Sequence, residues 1–156
     1  MRKYWFKMGV NMKFKKVVPL VMITMLIVIL AGCGQKTKIN TEEIKSFSDP
    51  ILQNMLVAGN KDDFAAYSKD FGSIMKEKFN EEAFKAANKL IKEKIGNYES
   101  KEFVKVQTQG SYVSAIYKAK YSNEPKDVMV SITFNKDDKE HKVEGIYLVS
   151  PKLAAK

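Results

Sequence analysis

Cysteine occurs once in the 156 residues, at Cys33, so no disulfide can form within the chain and no thiolate cluster can hold a metal. Histidine also occurs once. His141 stands among Lys139, Glu140 and Lys142, with no second histidine or nearby cysteine to complete a metal site, and it reads as an exposed bystander. Arginine occurs once, at Arg2, and every later cation is lysine. Lysine lacks the planar fork that grips phosphate or guanine bidentately, so nucleic-acid binding is not expected. There is no glycine-rich phosphate loop, no Ser-His-Asp order and no carboxylate cluster. Asp62 and Asp63 are adjacent, and helix neighbours point apart. Asp137 and Asp138 lack the alternating oxygens of a calcium loop. No catalytic residue, metal or cofactor is expected.

What is present begins with an asymmetric N-terminus. Met1 to Lys16 carries Arg2, Lys3, Lys7, Lys13, Lys15 and Lys16 and no acid. An apolar run follows from Val17 to Leu30, broken only by Pro19 and Thr24, and ends in Leu30-Ala31-Gly32-Cys33. A positive n-region, a short apolar core and small residues at its end have the form of an export signal. The alternative is an uncleaved transmembrane helix, which needs about 20 apolar residues; the run, stretched as far as Gly34, is borderline in length, and the small residues and the cysteine favour the signal. Met8 and Met12 are alternative starts. The tetrapeptide resembles the lipobox of bacterial lipoproteins. That resemblance implies diacylglycerol on Cys33, cleavage before it, and Leu30, Ala31 and Gly32 as the peptidase recognition residues. Residues 1–32 are then a signal peptide, 33–40 a lipidated tether and 41–156 one α+β domain. The expected location is the outer face of the cell membrane, or an outer membrane where the cell has one.

Charge must be recounted on that basis. The leader holds six of the 27 basic residues and none of the 18 acids, which leaves 21 lysines and a net of +3. Weak attraction to anionic headgroups is the most this balance supports.

Past the tether the apolar spacing is helical. Thr41 is a candidate cap, with Glu42 and Glu43 in the first turn. Ile44, Phe47, Ile51, Met55 and Ala58 recur at helical spacing, and Pro50 either kinks this helix or begins a second one. Asn60 is a candidate cap for a short helix burying Phe64 and Tyr67. From Asn80 the clearest helix begins, with Ala83, Phe84, Ala87, Leu90, Ile91 and Ile95 on one face, and Gly96 stops it. The period then changes to two. Phe103 to Gln109 is one strand. Val113, Ala115, Tyr117, Ala119 and Tyr121 alternate along the next, Val128, Val130, Ile132 and Phe134 along the third, and Val143, Gly145, Tyr147 and Val149 along the fourth. Short turns between them predict an antiparallel meander. N-terminal helices packed on one face of a curved four-stranded antiparallel sheet is the expected α+β fold.

This order resembles the cystatin-like, nuclear-transport-factor-two-like superfamily, as does the run Gly59-Asn60-Lys61-Asp62-Asp63-Phe64 with Tyr67 and Phe71 behind it. More narrowly, it resembles a domain of unknown function found in bacterial lipoproteins of that fold. The resemblance covers Thr41 to Val149 and implies a cone between sheet and helices. It implies no activity, since the superfamily includes isomerases, dehydratases, transport factors and accessory domains.

Phe64, Tyr67, Phe71, Tyr117, Tyr121, Phe134 and Tyr147 are the candidate lining of that cone. Such rings are more often core than catalyst. Glu102 and Glu144 flank inward apolar residues and are expected to point out to solvent. Tyr112, Ser114, Ile116, Met129, Ser131, Thr133, Ile146 and Leu148 make up the expected outer sheet face. The favoured reading is a membrane-anchored, non-catalytic module for an apolar small ligand or a membrane-protein partner. The alternative is a small isomerase, dehydratase or hydrolase with a tyrosine-acid pair in the cone.

Overall fold

The structure, a computed structural model, describes residues 40–155, so Cys33 and the Leu30-Ala31-Gly32 recognition residues lie outside the described residues. The first helix, α1, runs Thr41–Asn60. Its cap is Asn40, whose Oδ1 accepts from Glu43 N at 3.3 Å, so Thr41 enters the first turn instead of capping it. Pro50 lies inside α1, and the helix neither ends nor restarts there. Ser48 and Leu52, on either side of it, are fully buried. Packing on both sides of the proline outweighs the one donor it removes.

Asn60 is the last residue of α1, not the cap of the next helix. Its amide serves Tyr98 instead: Nδ2 donates to Tyr98 O at 2.8 Å and Oδ1 accepts from Tyr98 N at 2.9 Å. The cap of α2, Phe64–Tyr67, is Asp63, accepting from Ala66 N at 3.0 Å. A third helix, α3, spans Ser73–Lys78, and α4 spans Glu81–Ile95 behind an Asn80 cap. On α4 the expected apolar face is partly wrong. Leu90 is 49% exposed, while Asn88 is buried and donates to Gly59 O at 2.7 Å and Asp62 Oδ1 at 2.6 Å. The α1 terminus opposite α4 offers a buried carbonyl, which needs a donor more than it needs a leucine. Gly96 (φ 83°) ends α4, and a Cβ there would collide with Ser122 of the next turn but one.

Four strands follow: β1 (Tyr98–Gln109), β2 (Tyr112–Tyr121), β3 (Glu124–Asn135) and β4 (Val143–Val149), antiparallel in the order β1-β2-β3-β4. A last turn, α5 (Pro151–Ala154), has Ser150 as its cap. The helices precede a curved antiparallel meander, so the fold class is α+β as expected. The core joins Leu52 and Met55 of α1, Phe71, and Ile95 of α4 to the inward residues of β2 and β3.

Alternation holds along β2 and β3 and fails along β4. Phe134 pairs with Val143 while Thr133 pairs with Gly145, so Glu144 is an extra, bulged residue. One extra residue exchanges the faces of everything after it. Ile146 and Leu148, expected outside, pack on the core, whereas Tyr147 and Val149, expected inside, are exposed. The bulge also re-aims Glu144. Its carboxylate turns back and accepts from Ile74 N at 2.9 Å, capping α3, where Gly72 supplies no side-chain cap. The strand is held in this place by its neighbour, since Gly72 N donates to Val143 O and Val143 N to Asp70 O, both at 2.8 Å.

Candidate functional site: a filled cone and an uncovered sheet face

The cone between sheet and helices is occupied by the protein's own rings. Tyr117, Phe134 and Phe71 are buried core residues. Phe64 is half-buried, with its ring 6.4 Å from Phe71 and 5.6 Å from Phe84. A cavity of about 40 Å³ lies among them, bordered by Met55, Tyr67, Phe84, Ile91, Tyr121 and Leu148. That suits a water or two, far below the ~300–1,000 Å³ of small-molecule sites. Burial pushes the Tyr67 and Tyr121 hydroxyls well above their ordinary 10.0. Of the seven candidate lining residues, then, Tyr67 and Tyr121 border the cavity, Phe64, Phe71, Tyr117 and Phe134 pack the core, and Tyr147 lies on the opposite face of the sheet.

The most acid-base-like constellation is one the strand pattern did not reveal. Ser48 of α1 and Tyr117 of β2 join their hydroxyls at 2.7 Å, and both residues are fully buried. Lys101 Nζ sits 5.0 Å from the Tyr117 ring centroid and pairs with Asp49 at 2.5 Å. Burial pushes Tyr117 up to about 12. Ser48 partly counters this and the Asp49 charge adds to it. A tyrosine held so firmly protonated is a poor base at neutral pH. Asp49 belongs to Lys101 and is 45% exposed, and among the described residues no other carboxylate acts on the tyrosine. No substrate can reach Ser48 without unpacking the helix. The cluster therefore satisfies polar groups inside the core. Its signal in the sequence was Ser48 one helical turn before Leu52, a lone hydroxyl on an apolar stripe.

His141 is not a bystander. Its ring stacks on Phe47 of α1, centroids 3.9 Å apart and planes 2° from parallel, and Phe47 meets Phe134 edge-on. The loop that presents it is wound around Asp138, whose carboxylate accepts from Glu140 N at 2.9 Å and Lys142 N at 2.8 Å. Glu102 does point outward and is exposed. Among the described residues no three His, Cys, Asp or Glu side chains gather into a metal site, and no helix is long and apolar enough to cross a membrane.

The outer face of the sheet carries the uncovered chemistry. Strand register places its side chains in levels: Gln107-Ser114-Thr133-Gly145, then Lys105-Ile116-Ser131-Tyr147, then Glu102-Lys118-Met129-Val149. Tyr147 is 70% exposed and Val149 47%. Beyond them lies an open groove of about 290 Å³ bordered by Ser100, Glu102, Lys118, Lys120 and Asp127, with Lys120 and Asp127 paired at 2.6 Å. The face thus has exposed apolar side chains, Tyr147 and Val149, along its β4 edge and a zwitterionic end at Lys120 and Asp127.

Comparison with known proteins adds family but no activity. Residues 54–145 match a family described as protein of unknown function (DUF3887). No curated protein matches. A solved structure, Bd1075 of Bdellovibrio bacteriovorus, is similar at 11% identity with a TM-score of 0.42, over 69% of this chain and 40% of that one. The present chain thus spans well under half of that protein. On the family match, which covers more than half of its residues, the chain belongs to the DUF3887 family of proteins of unknown function.

Proposed function

We propose that this chain is an extracytoplasmic lipoprotein whose single domain binds a protein partner on the outer face of its sheet. Diacylglycerol on Cys33 would hold it to the membrane after cleavage behind Leu30-Ala31-Gly32, with residues 33–40 as the tether and 41–156 as the binding domain. The apolar run and the small residues before the cysteine support the anchor. Helices preceding a meander support membership of the nuclear-transport-factor-two-like superfamily. The observation that carries the binding surface is Tyr147, a large ring standing 70% exposed beside Val149 on the edge strand β4 of the outer sheet face. Exposed aromatic anchors often dominate protein interfaces. A small apolar ligand is the weaker reading. It would have to displace side chains around the cavity of about 40 Å³, whereas a partner on the outer face displaces only water.

The test is a photo-activated cross-linking side chain placed at position 147 of the full chain in intact membranes, with position 85 as reference. Lys85 is exposed on α4, away from the sheet. A discrete adduct from 147, weakened by Val149→Asp, is the expected result. Labelling at 147 no stronger than at 85 retires the proposal.

A further inference from the structure

We infer that β4 is a strand of two registers: it loses its bulge by sliding one residue along β3, which draws Tyr147 and Val149 into the core and turns Ile146 and Leu148 out. β4 and its neighbours alone carry this. Sliding touches the proposed docking face only by hiding the ring on which that face depends.

The sequence of β4 permits both arrangements. From Gly145 to Val149 it reads Gly-Ile-Tyr-Leu-Val, with no charged side chain to mark one face as the outer one. Lys118 and Lys120 do that for β2, and Asp127 and Ser131 for β3. A slip of one residue exchanges the faces of a strand, and only a difference between those faces forbids it. In the observed register Ile146 stands opposite Ile132 and Leu148 opposite Val130. With Glu144 taken into the ladder opposite Thr133, Tyr147 stands opposite Val130 and Val149 opposite Val128, and both β3 residues are fully buried. Each register thus buries two large apolar side chains of β4 and exposes two, so hydrophobic burial chooses weakly between them. Gly145 comes to stand where Ile146 now packs, and the Tyr147 ring, larger than Leu148, takes up part of the space.

The choice therefore falls to contacts at the two ends of the strand. Val143 is the fixed point, tied to Asp70 and Gly72 through its own N–H and C=O. Just beyond it, Glu144 Oε2 accepts from Ile74 N at 2.9 Å, a bond that exists only while Glu144 is bulged. At the far end Lys152 N donates to Glu124 at 3.2 Å and Lys94 Nζ to Ala155 O at 3.1 Å. Sliding moves that turn by one strand residue, about 3.3 Å, and breaks both contacts. These bonds make the bulged register the major one, and they couple the cap of α3 to the seat of α5 through the strand between them. Gly72 is the lever. A Cβ there collides with the Glu144 carboxylate where it caps α3, whereas the slid register carries that carboxylate to the outer face beside Thr133.

The experiment is NMR of the full chain in mild detergent, with isoleucine, leucine and valine methyls labelled, on the wild type, Gly72→Ala and Tyr147→Lys. Relaxation dispersion of the wild type should show one exchange process shared by Ile146, Leu148, Val149 and the Ile74 amide. Gly72→Ala should raise the minor population about tenfold and bring the Tyr147 ring into contact with the Val130 methyls. Tyr147→Lys must bury a charge in order to slide, so it should fold and lack the shared process. Absence of that process from both the wild type and Gly72→Ala overturns the inference, as does exchange at Ile74 without the β4 methyls. If Gly72→Ala fails to fold, the other two proteins decide, and a shared process that Tyr147→Lys leaves unchanged also overturns it. Cross-linking from position 147 separates this from the docking reading. No adduct there, with the shared exchange present, removes the docking face and leaves the two registers; an adduct with no shared exchange does the reverse.

Discussion

Ser48 Oγ and Tyr117 Oη lie 2.7 Å apart at a point in the core where neither residue has any solvent-exposed surface. Each hydroxyl is the other's route to satisfaction. Removing one alone leaves a buried polar group unpaired, a cost of about 1–3 kcal/mol. Ser48→Ala and Tyr117→Phe should each lower stability in urea by that order. The double variant should lose distinctly less than the sum, because two apolar groups then face each other. Full additivity in a double-mutant cycle would show that the bond contributes nothing. Tyr117→Ala removes the ring as well and should cost ~3–5 kcal/mol.

The same burial gives an alkaline limit. Tyr117 is raised from 10.0 to about 12, with Tyr67 and Tyr121 raised as well. A group whose pKa is higher in the folded state stabilises the fold fully below its unfolded value and loses that contribution as pH rises. Stability should therefore hold to pH 10 and fall between 10 and 12, and Tyr117→Phe should flatten that decline. Denaturant midpoints across this range are the measurement, and an unchanged slope in Tyr117→Phe would assign the loss elsewhere.

The acid limb has the opposite sign. Burial pushes the Glu124 carboxyl up. Individually smaller effects together outweigh it and hold the carboxyl below its ordinary 4.5: N–H donors from Lys152 at 3.2 Å and Lys126 at 3.3 Å, the Ser150 hydroxyl and the Lys152 charge. A depressed carboxylate stabilises the fold above its unfolded value, and that contribution is lost as pH falls through 4.5 and below. Glu124→Gln should lower stability at pH 7 and leave less to lose on acidification. If its acid profile parallels the wild type, the contact between Glu124 and the start of α5 is not electrostatic.

Most of the architecture was legible in the sequence because its signals are periodic. Helical spacing before Gly96 and alternation along β2 and β3 give element order and the core residues Met55, Tyr117 and Phe134 without coordinates. The misreadings sit where one residue breaks a period or where a side chain answers a need elsewhere in the chain. Glu144 shifts the period of β4 and carries Tyr147 from the expected cone to the outer face. Asn60 and Asp63 exchange capping duties because Asn60 is drawn to the Tyr98 backbone. Asn88 takes an apolar position because Gly59 presents a carbonyl there. Ser48, Asp49 and Lys101 escaped notice as a group because about 52 residues of chain separate the helix from the strand. No local pattern encodes such meetings.

The bulge itself can be tested by deletion. Removing Glu144 joins Val143 directly to Gly145 and restores strict alternation. Ile146 and Leu148 then still face the core, and Tyr147 and Val149 still face out. The loss should be confined to the carboxylate that caps α3 at Ile74, about 0.5–2 kcal/mol. Removing Tyr147 instead keeps the bulge and exchanges the faces of Leu148 and Val149, so a smaller valine replaces the leucine in the core, a loss of about 0.8 kcal/mol, and the buried Ser150 that caps α5 is turned over as well, a further cost of about 0.5–2 kcal/mol. A naive reading of exposure predicts the reverse order, since Tyr147 is 70% exposed while Glu144 makes a specific hydrogen bond. Gly72 supplies an independent check, because a Cβ at this position collides with the Glu144 carboxylate. Gly72→Ala should destabilise the wild type and do so much less in the Glu144 deletion, where the obstruction is gone. Urea melts of the two deletions and of Gly72→Ala in each background decide the matter. A Glu144 deletion that unfolds outright while the Tyr147 deletion melts cooperatively would mean that the extra residue sets the β4 register and does not merely interrupt it.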